Sequence, residues 1–256
     1  TTLAAGETAL GDAGSYTMLV KSGTYAESPT ISTNDAKIVV EPGTDIQGLI
    51  TLSGSNISLI FGSGCDIDGI LITGSDCYIN GGGWNTISNG GTARDALNIQ
   101  GSDNIVENIA LQTTAGGGSD YSGIILPTTG VRNIVKHVNI INSDATAIYI
   151  ATGSTHTLLD GVFISACDGR GIQTAGPTTR IVSCYVGNAA SDSIQLAATG
   201  DNSSVIGCMV QASGGTSIDV VGDAEDCVVV GNRTDGAVND ASGTSTVASN
   251  ESTALS

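Results

Sequence analysis

The second half of the chain repeats a pattern of apolar residues with constant internal offsets. Three apolar positions recur in successive repeats spaced by 24, 22, 24 and 20 residues, the second position lying two residues after the first and the third lying eight residues after the second. The first position is Val138, Val162, Cys184, Cys208 and Val228, the second is Ile140, Ile164, Val186, Val210 and Val230, and the third is Ile148, Ile172, Ile194, Ile218 and Val238. Offsets that stay constant while the period varies indicate a structural repeat.

The offset of two residues predicts short β-strands, because side chains two residues apart lie on the same face of a strand. A third strand in each repeat is predicted upstream, from Val135, Leu159, Ile181 and Val205. No helical periodicity is present. Each repeat is therefore predicted to be a coil of three strands, and parallel pairing of successive coils at ~4.8 Å produces an all-β solenoid with an apolar interior.

Two phrases near the N-terminus resemble the first coils of a known fold. The phrases "YTMLVKSGTYAESPTI" and "VVEPGTDIQG" are similar to the first and second coils of right-handed parallel β-helix proteins of the pectate-lyase-like superfamily. The resemblance covers residues 16–240 and implies a right-handed parallel β-helix solenoid of about nine to ten coils of roughly 20–29 residues. We expect residues 1–15 to form an N-terminal cap or attachment segment and residues 241–256 to form a C-terminal tail or assembly segment, since open solenoid ends need covering.

Two insertions indicate a candidate binding surface on one edge of the solenoid. The second and third apolar positions are separated by 13 residues from Leu111 to Ile124 and by 18 from Ile79 to Leu97, if Ile79 takes the second position. The inserted segments are "NGGGWNTISNGGTARD" and "QTTAGGGSDYS", and adjacent coils would place them side by side. Insertions in a repeat protein are often its binding sites. The residues expected to contact a glycan there are Trp84, Arg94, Asp95 and Tyr121; for Trp84, packing against the coil or a neighbouring subunit is the alternative.

A column of acidic residues follows the same edge. Asp120, Asp144 and Asp168 each lie four residues before the third apolar position, and Arg170 and Asp192 lie two residues before it. Carboxylates and an arginine beside aromatic rings are typical of a carbohydrate subsite, which adds Arg170 and Asp192 to the glycan-binding candidates. For the three Asp residues the alternatives are ordinary turn residues, ligands of a Ca²⁺ ion, and catalytic carboxylates of a glycan-cleaving enzyme.

Charge and cysteine spacing exclude several classes of function. The formal net charge of -17 with eight scattered Lys and Arg residues argues against a nucleic-acid partner. No apolar run approaches the ~18 residues of a membrane span, so membrane insertion is not expected. The six cysteines lack zinc-site spacing and are predicted to be buried thiols. Cys184 and Cys208 lie in one inward column, where a disulfide is the alternative to two thiols.

The composition and the phrase "VGNRTDGAVNDASGT" look most like bacteriophage virion proteins. That resemblance implies a structural role as a tail fibre, tailspike, head fibre or decoration protein, located in the virion after assembly in the host cytoplasm. Its expected partners are two further copies in a homotrimer, other virion proteins and host-surface polysaccharide, with no resident cofactor unless Ca²⁺ binds the Asp column. The alternatives are a polysaccharide depolymerase (a hydrolase or a lyase) that uses the stacked Asp residues, and an inert structural spacer. The short insertions and the absence of a Lys or Arg cluster favour a protein that is not an enzyme.

Overall fold

The computed structural model describes residues 3–10, 17–82, 85–88, 94–112, 121–211 and 214–252. Within these ranges the chain forms one α-helix, Leu3–Leu10, and three parallel β-sheets of eleven, eleven and ten strands. The chain passes through sheets A, B and C in turn, and each strand pairs with the equivalent strand of the next coil. The predicted all-β right-handed parallel β-helix is thus confirmed, with ten three-stranded coils and an eleventh coil of two strands among the described residues.

The strands of each sheet follow the coils in order. Sheet A contains Thr17–Val20, Lys37–Val40, Ser58–Phe61, Tyr78–Asn80, Ile105–Glu107, Ile134–Lys136, Leu158–Asp160, Arg180–Val182, Ser204–Ile206, Val228–Val230 and Thr246–Ala248. Sheet B contains Thr24–Tyr25, Asp45–Ile46, Asp66–Ile67, Thr86–Ser88, Ala110–Gln112, Asn139–Asn142, Phe163–Ile164, Tyr185–Gly187, Met209–Gln211, Arg233–Thr234 and Glu251–Ser252. Sheet C contains Thr30–Ile31, Ile50–Leu52, Ile70–Ile72, Leu97–Ile99, Ile124–Leu126, Ile148–Ile150, Ile172–Thr174, Ile194–Leu196, Ile218–Val220 and Val238–Asp240.

The core consists of continuous apolar columns that run along the inside of the solenoid. In sheet C, Ile148 pairs with Ile172, which pairs with Ile194, and all three side chains are fully buried. The strand predicted upstream of the repeat is sheet A, where Leu159 and Ile181 are paired and fully buried. Each coil buries its apolar face against its neighbours because one coil alone cannot do so.

The last predicted repeat is one strand out of register. Val228 and Val230 belong to sheet A, where they point outward beside the inward Val229, and the sheet B strand of this coil is Arg233–Thr234. Val210 therefore pairs with Thr234 rather than with Val230. The inward residue of this sheet B strand is the polar Thr234. The apolar pattern was therefore matched to the nearest valines, Val228 and Val230, and this part of the prediction was wrong.

Two sharp corners in each coil depend on residues with left-handed backbone conformation. The two-residue corner between sheets A and B contains His137, Gly161 and Ser183 in successive coils, with φ of 50°, 60° and 53°. The corner that follows sheet C contains Asp103 and Asn202, with φ of 59° and 55°, among other residues in this conformation. Asn, Asp and Gly tolerate the left-handed region best, which explains many polar residues at these corners.

The two ends of the described solenoid differ. The helix Leu3–Leu10 packs on coil 1 with both leucines buried in the core, and the Ser32 hydroxyl donates to Glu7 at 2.7 Å. The sequence showed no helical periodicity because this helix has only eight residues. At the other end, the strands Thr246–Ala248 and Glu251–Ser252 extend the solenoid beyond residue 240, where the apolar pattern stops. None of the described helical segments has the length and hydropathy required to span a bilayer.

Candidate functional site

The longest gaps in sequence between successive described strands lie between sheets B and C, with 11 residues between Gln112 and Ile124 and eight between Ser88 and Leu97. In coil 7 the connection between these sheets has seven residues, 165–171, whereas the corner between sheets A and B has only two, Gly161 and Val162. We call these sheet B to sheet C connections of coils 4 to 9, residues 94–96, 121–123, 143–147, 165–171, 188–193 and 214–217, the long-turn edge. It contains all the described members of the site predicted from sequence, whereas Trp84 and Asp120 lie outside the described residues.

Asp144 and Asp168 lie on adjacent coils of the long-turn edge. The backbone N–H of Asp168 donates to the carbonyl of Ser143 at 2.9 Å, which places the two Asp residues on neighbouring rungs. Burial raises the pKa of the Asp144 carboxyl, and the negative charge of Asp168 raises it further. Asp120, the first predicted member of the column, lies outside the described residues. Asp168 is exposed, so the two carboxyls differ in environment.

Asp95 and Asp192 anchor the backbone of the next coil. The Asp95 carboxylate accepts the N–H of Ser122 at 2.7 Å, and the Asp192 carboxylate accepts the N–H of Thr216 at 2.9 Å. Burial raises the pKa of Asp95, although its bond from Ser122 opposes the shift. These contacts support a structural role for both carboxylates, because each satisfies an N–H in the adjoining turn.

Two arginines also lie along the long-turn edge. The Arg170 Nε is 3.4 Å from Asp192 Oδ2, and the arginine side chain is one-third exposed. Arg94 donates from Nη2 to the carbonyl of Asp68 at 2.6 Å, while its buried Nε has no partner in the described structure. Arg94 therefore fastens its turn to the preceding coil.

The strands that flank the two predicted aromatic contacts in sequence belong to different pairs of sheets. Tyr121 is half-buried in the connection that precedes Ile124–Leu126. Trp84 lies outside the described residues, but the strands before and after it, Tyr78–Asn80 and Thr86–Ser88, belong to sheets A and B. The prediction that Ile79 takes the second apolar position was wrong, since Ile79 is inward in sheet A and Ile87 takes that position in sheet B. The segment "NGGGWNTISNGGTARD" thus contains the described sheet B strand Thr86–Ser88.

A polar ladder that sequence reasoning missed runs along the outside of sheet C beside this edge. Gln173, Gln195, Asp219 and Asn239 occupy the central position of four successive strands. The Gln173 amide donates to Gln195 at 3.2 Å, the Gln195 amide donates to Asp219 at 3.2 Å, and the Asn239 amide donates to Asp219 at 2.8 Å. We call these four residues, with Tyr149 on the preceding strand, the sheet C ladder.

The sheet C ladder and the long-turn edge are directly connected. Gln195 Nε2 also donates to Asp192 Oδ2 at 3.3 Å, so the amide lies between Asp192 and Asp219. Gln195 is 8% exposed, whereas Asn239 is exposed. The signal in the sequence was the polar central residue of the triplets IQT, IQL, IDV and VND. The apolar columns gave no reason to examine that position.

Metal and redox chemistry find limited support in the described residues. They contain no group of three or more His, Cys, Asp and Glu side chains placed to hold a metal ion. A Ca²⁺ site that includes Asp120 stays a prediction, because Asp120 is not described. All six cysteines are free and buried. Burial raises the pKa of the Cys167 thiol to about 12, so this group is not a reactive thiolate at neutral pH.

An exposed aromatic pair lies away from the long-turn edge. Phe163 and Tyr185 stack on the outside of sheet B with ring centroids 4.5 Å apart and planes within 9°. The Tyr185 hydroxyl donates to Gln211 at 2.9 Å. One face of each ring is covered by the other ring, which leaves less surface for stacking on a sugar.

Comparisons with known proteins agree with this architecture. Residues 68–234 match the family model described as "Right handed beta helix region". Similar solved structures include ORF18 of Geobacillus virus E2, with 15% identity, a TM-score of 0.57 and coverage of 86% of this chain; the chain spans only half of that protein. They also include the A-module of the Azotobacter vinelandii mannuronan C-5 epimerase AlgE6, with 12% identity, a TM-score of 0.50 and coverage of 92% of this chain and 81% of that module. No curated protein matches the sequence significantly.

Proposed function

Because the chain belongs to the right-handed β-helix family, we propose that it is a structural protein of a bacteriophage particle whose outer surface binds host polysaccharide. The role is that of a tail fibre, tailspike, head fibre or decoration protein. The binding surface is the sheet C ladder together with the adjoining long-turn edge. The observation that carries the proposal is the hydrogen-bonded ladder of Gln173, Gln195, Asp219 and Asn239.

The chemistry of the ladder suits a ligand with many hydroxyl groups. An amide side chain has two N–H donors and a carbonyl acceptor, and a carboxylate has several acceptor sites. The bonds within the ladder use only part of this capacity. Successive rungs are ~4.8 Å apart, close to the length of one sugar unit. A chain lying along the solenoid axis therefore meets the polar groups of Gln173, Asp219 and Asn239, while the buried Gln195 holds the Asp219 carboxylate in place. Tyr149 adds an aromatic surface at one end of the ladder.

The rigidity of the fold favours display rather than enclosure of the ligand. Gln173, Gln195, Asp219 and Asn239 are on strands of a continuous sheet, and hydrogen bonds between neighbours hold their side chains in place. Binding therefore costs little ordering of the protein. An extended rod with repeated weak contacts fits a polymer on a cell surface better than it fits a small molecule.

The virion assignment draws on similarity of fold. The Geobacillus virus E2 protein has the same architecture, and its viral source favours a particle component here. The mannuronan epimerase module shows that the architecture also occurs in a protein named for its action on a polysaccharide. The identity to each of these proteins is 15% or less, so the role in a particle is supported by the fold together with the surface chemistry.

A glycan-binding screen with a matched pair of variants tests the proposal. The purified protein is applied to bacterial surface polysaccharides, and the affinity for any positive glycan is compared with that of Asp219→Ala and Asp223→Ala. Asp223 is exposed on the turn after sheet C, four residues from the ladder. Loss of hydrogen bonds to a charged group predicts at least ~10-fold weaker binding for Asp219→Ala and no change for Asp223→Ala. Equal affinity of both variants, with unchanged melting temperatures, refutes the ladder as the binding surface, and no binding to any glycan favours an inert spacer.

A second candidate function is cleavage of the polysaccharide by Asp144 and Asp168. Carboxyls on neighbouring rungs approach the ~5 Å separation of retaining glycosidases, and the raised pKa of Asp144 would suit a general acid. If this function is correct, the protein shortens its polysaccharide, and Asp168→Asn stops the release of fragments while Asp223→Asn does not. Size-exclusion chromatography of the polysaccharide measures the difference. Polysaccharide of unchanged length after prolonged incubation excludes this candidate.

A further inference from the structure

The outer face of sheet A carries an apolar residue in nearly every coil, beside a polar or charged residue in most of them. Outward positions of a solvent-facing strand are usually polar, since the opposite face fills the core. On the outside of sheet C only Leu71 and Ile125 are Leu, Ile or Val among the described central positions of its three-residue strands. On the outside of sheet A, each of coils 5 to 10 carries at least one such residue, in the first outward column for coils 5 to 7 and in the second for coils 8 to 10. We call Ile105, Ile134, Leu158, Val182, Ile206 and Val230 the sheet A band.

These side chains have no covering element in the described structure. The six residues of the band are half-buried by their own neighbours in the sheet, and the adjacent outward Val228 is 37% exposed. At the other end of sheet A, Leu19 is 50% exposed. An apolar surface of this length on a protein surface marks an interaction site rather than scattered surface residues.

The charge of this face differs from that of the rest of the chain. The strands of sheet A carry three of the eight Lys and Arg residues but only two of the 25 Asp and Glu residues. One of these two acidic residues, Glu107, forms an ion pair with Lys136 at 2.6 Å and accepts a hydrogen bond from Asn80 at 2.9 Å. The sheet A face is therefore nearly neutral, whereas the chain as a whole has a formal net charge of -17.

Neutrality and shape together point to one kind of partner. Two copies of a strongly acidic chain repel each other unless they meet through a face without excess negative charge. The eleven strands of sheet A extend over ~50 Å at ~4.8 Å per strand, and a width of ~10 Å corresponds to ~500 Å² per copy before the flanking turns are included. A standard interface buries ~800 Å² per partner, so the face has the scale of a specific contact if the flanking turns contribute. Another copy of the same length matches the band over its whole extent.

We propose that the sheet A face is the surface through which copies of this chain pack side by side. Packed sheets lie ~10 Å apart with interdigitating side chains, which is the distance that outward Ile, Leu and Val residues fill. The sheet C ladder is on another face of the coil, so it stays accessible in such an assembly. The inference is independent of the proposed glycan binding.

Sedimentation velocity on the full chain, with a matched pair of charge insertions, tests this inference. Ile206→Glu places a carboxylate in the middle of the band, and Leu71→Glu places the same group at a half-buried outward position of sheet C. Burial of an unpaired carboxylate in the contact predicts self-association weakened at least ~100-fold for Ile206→Glu. Leu71→Glu is expected to associate as the wild type does.

Folding is checked by circular dichroism, and Ile206→Ser serves as an uncharged second variant that should weaken association less than Ile206→Glu. An oligomeric wild type that dissociates only with the substitutions at residue 206 supports the proposal. A wild type that sediments as a single chain overturns it, and so does an Ile206→Glu variant that is folded and associates like the wild type.

Discussion

Replacement of Asp192 distinguishes a residue that anchors the solenoid from one that contacts a ligand. Sequence reasoning assigned Asp192 to a glycan site, whereas the structure shows its carboxylate accepting the Thr216 N–H at 2.9 Å and the Gln195 amide at 3.3 Å. Arg170 Nε lies 3.4 Å from the same carboxylate. We predict that Asp192→Ala destabilises the fold in addition to any effect on binding.

The magnitude follows from these contacts. Loss of a hydrogen bond from a backbone N–H to a charged acceptor costs ~1.5–3 kcal/mol. The Arg170 pair adds only ~0–1 kcal/mol, because the arginine is one-third exposed and the separation is long. We expect Asp192→Ala to lower the free energy of unfolding by ~2–3 kcal/mol and Asp192→Asn, which keeps an acceptor for Thr216, by about half as much.

Hydrogen exchange of the Thr216 amide measures the effect at the site, and urea unfolding measures it for the coil stack. Repeat proteins can unfold a few coils at a time, which broadens the urea transition. In that case the exchange rate of the Thr216 amide is the measurement to use. The Thr216 amide should exchange much faster in Asp192→Ala than in the wild type or in Asp223→Ala. Unchanged exchange and an unchanged urea midpoint in Asp192→Ala, together with weaker glycan binding, would refute the assignment of Asp192 as an anchor.

The remaining predictions concern pH and the core. Burial raises the pKa of the Asp95 carboxyl, so the folded chain binds the carboxyl proton more tightly than the unfolded chain does. Protonation of Asp95 therefore stabilises the fold as the pH falls from above the raised pKa to below the ordinary value of ~3.9. Asp95→Asn keeps an acceptor for the Ser122 N–H and should remove this pH-dependent gain in stability. Urea midpoints of the wild type and the variant at about pH 7 and pH 4 measure the difference. An identical change of the midpoint with pH in both proteins contradicts the prediction. Asn232→Val should lower the free energy of unfolding by ~1–3 kcal/mol, because it leaves the Cys208 N–H, bonded at 2.8 Å, without a partner and removes the 3.0 Å bond from Asn232 to the Val205 carbonyl. Cys208→Val, in the same column, should change stability by less than ~1.5 kcal/mol in the same urea assay, and equal losses for the two variants would show that the hydrogen bonds of Asn232 are not what matters.

The coil architecture could be predicted where inward residues are apolar. Ile148, Ile172 and Ile194 align in sheet C as the repeat indicated, since a buried position between two coils excludes polar side chains that lack partners. The same reasoning failed where a polar residue is buried with its hydrogen bonds satisfied. Thr234 is fully buried and donates to the Gly236 carbonyl at 2.8 Å, so the inward position of this coil carried no apolar signal.

Burial imposes a period that one chain displays on its own, so the fold class, the number of strands in each repeat and the edge with the longest insertion could be predicted from the residues. The roles of the polar residues became clear only from the stacked coils. Residues Asp192 and Thr216 are 24 apart in sequence and become neighbours only when two coils stack. The sheet C ladder and the apolar residues on the outside of sheet A also depend on the stacking of coils. Outward residues show no burial period, so their contacts are known only when neighbouring coils place other side chains beside them.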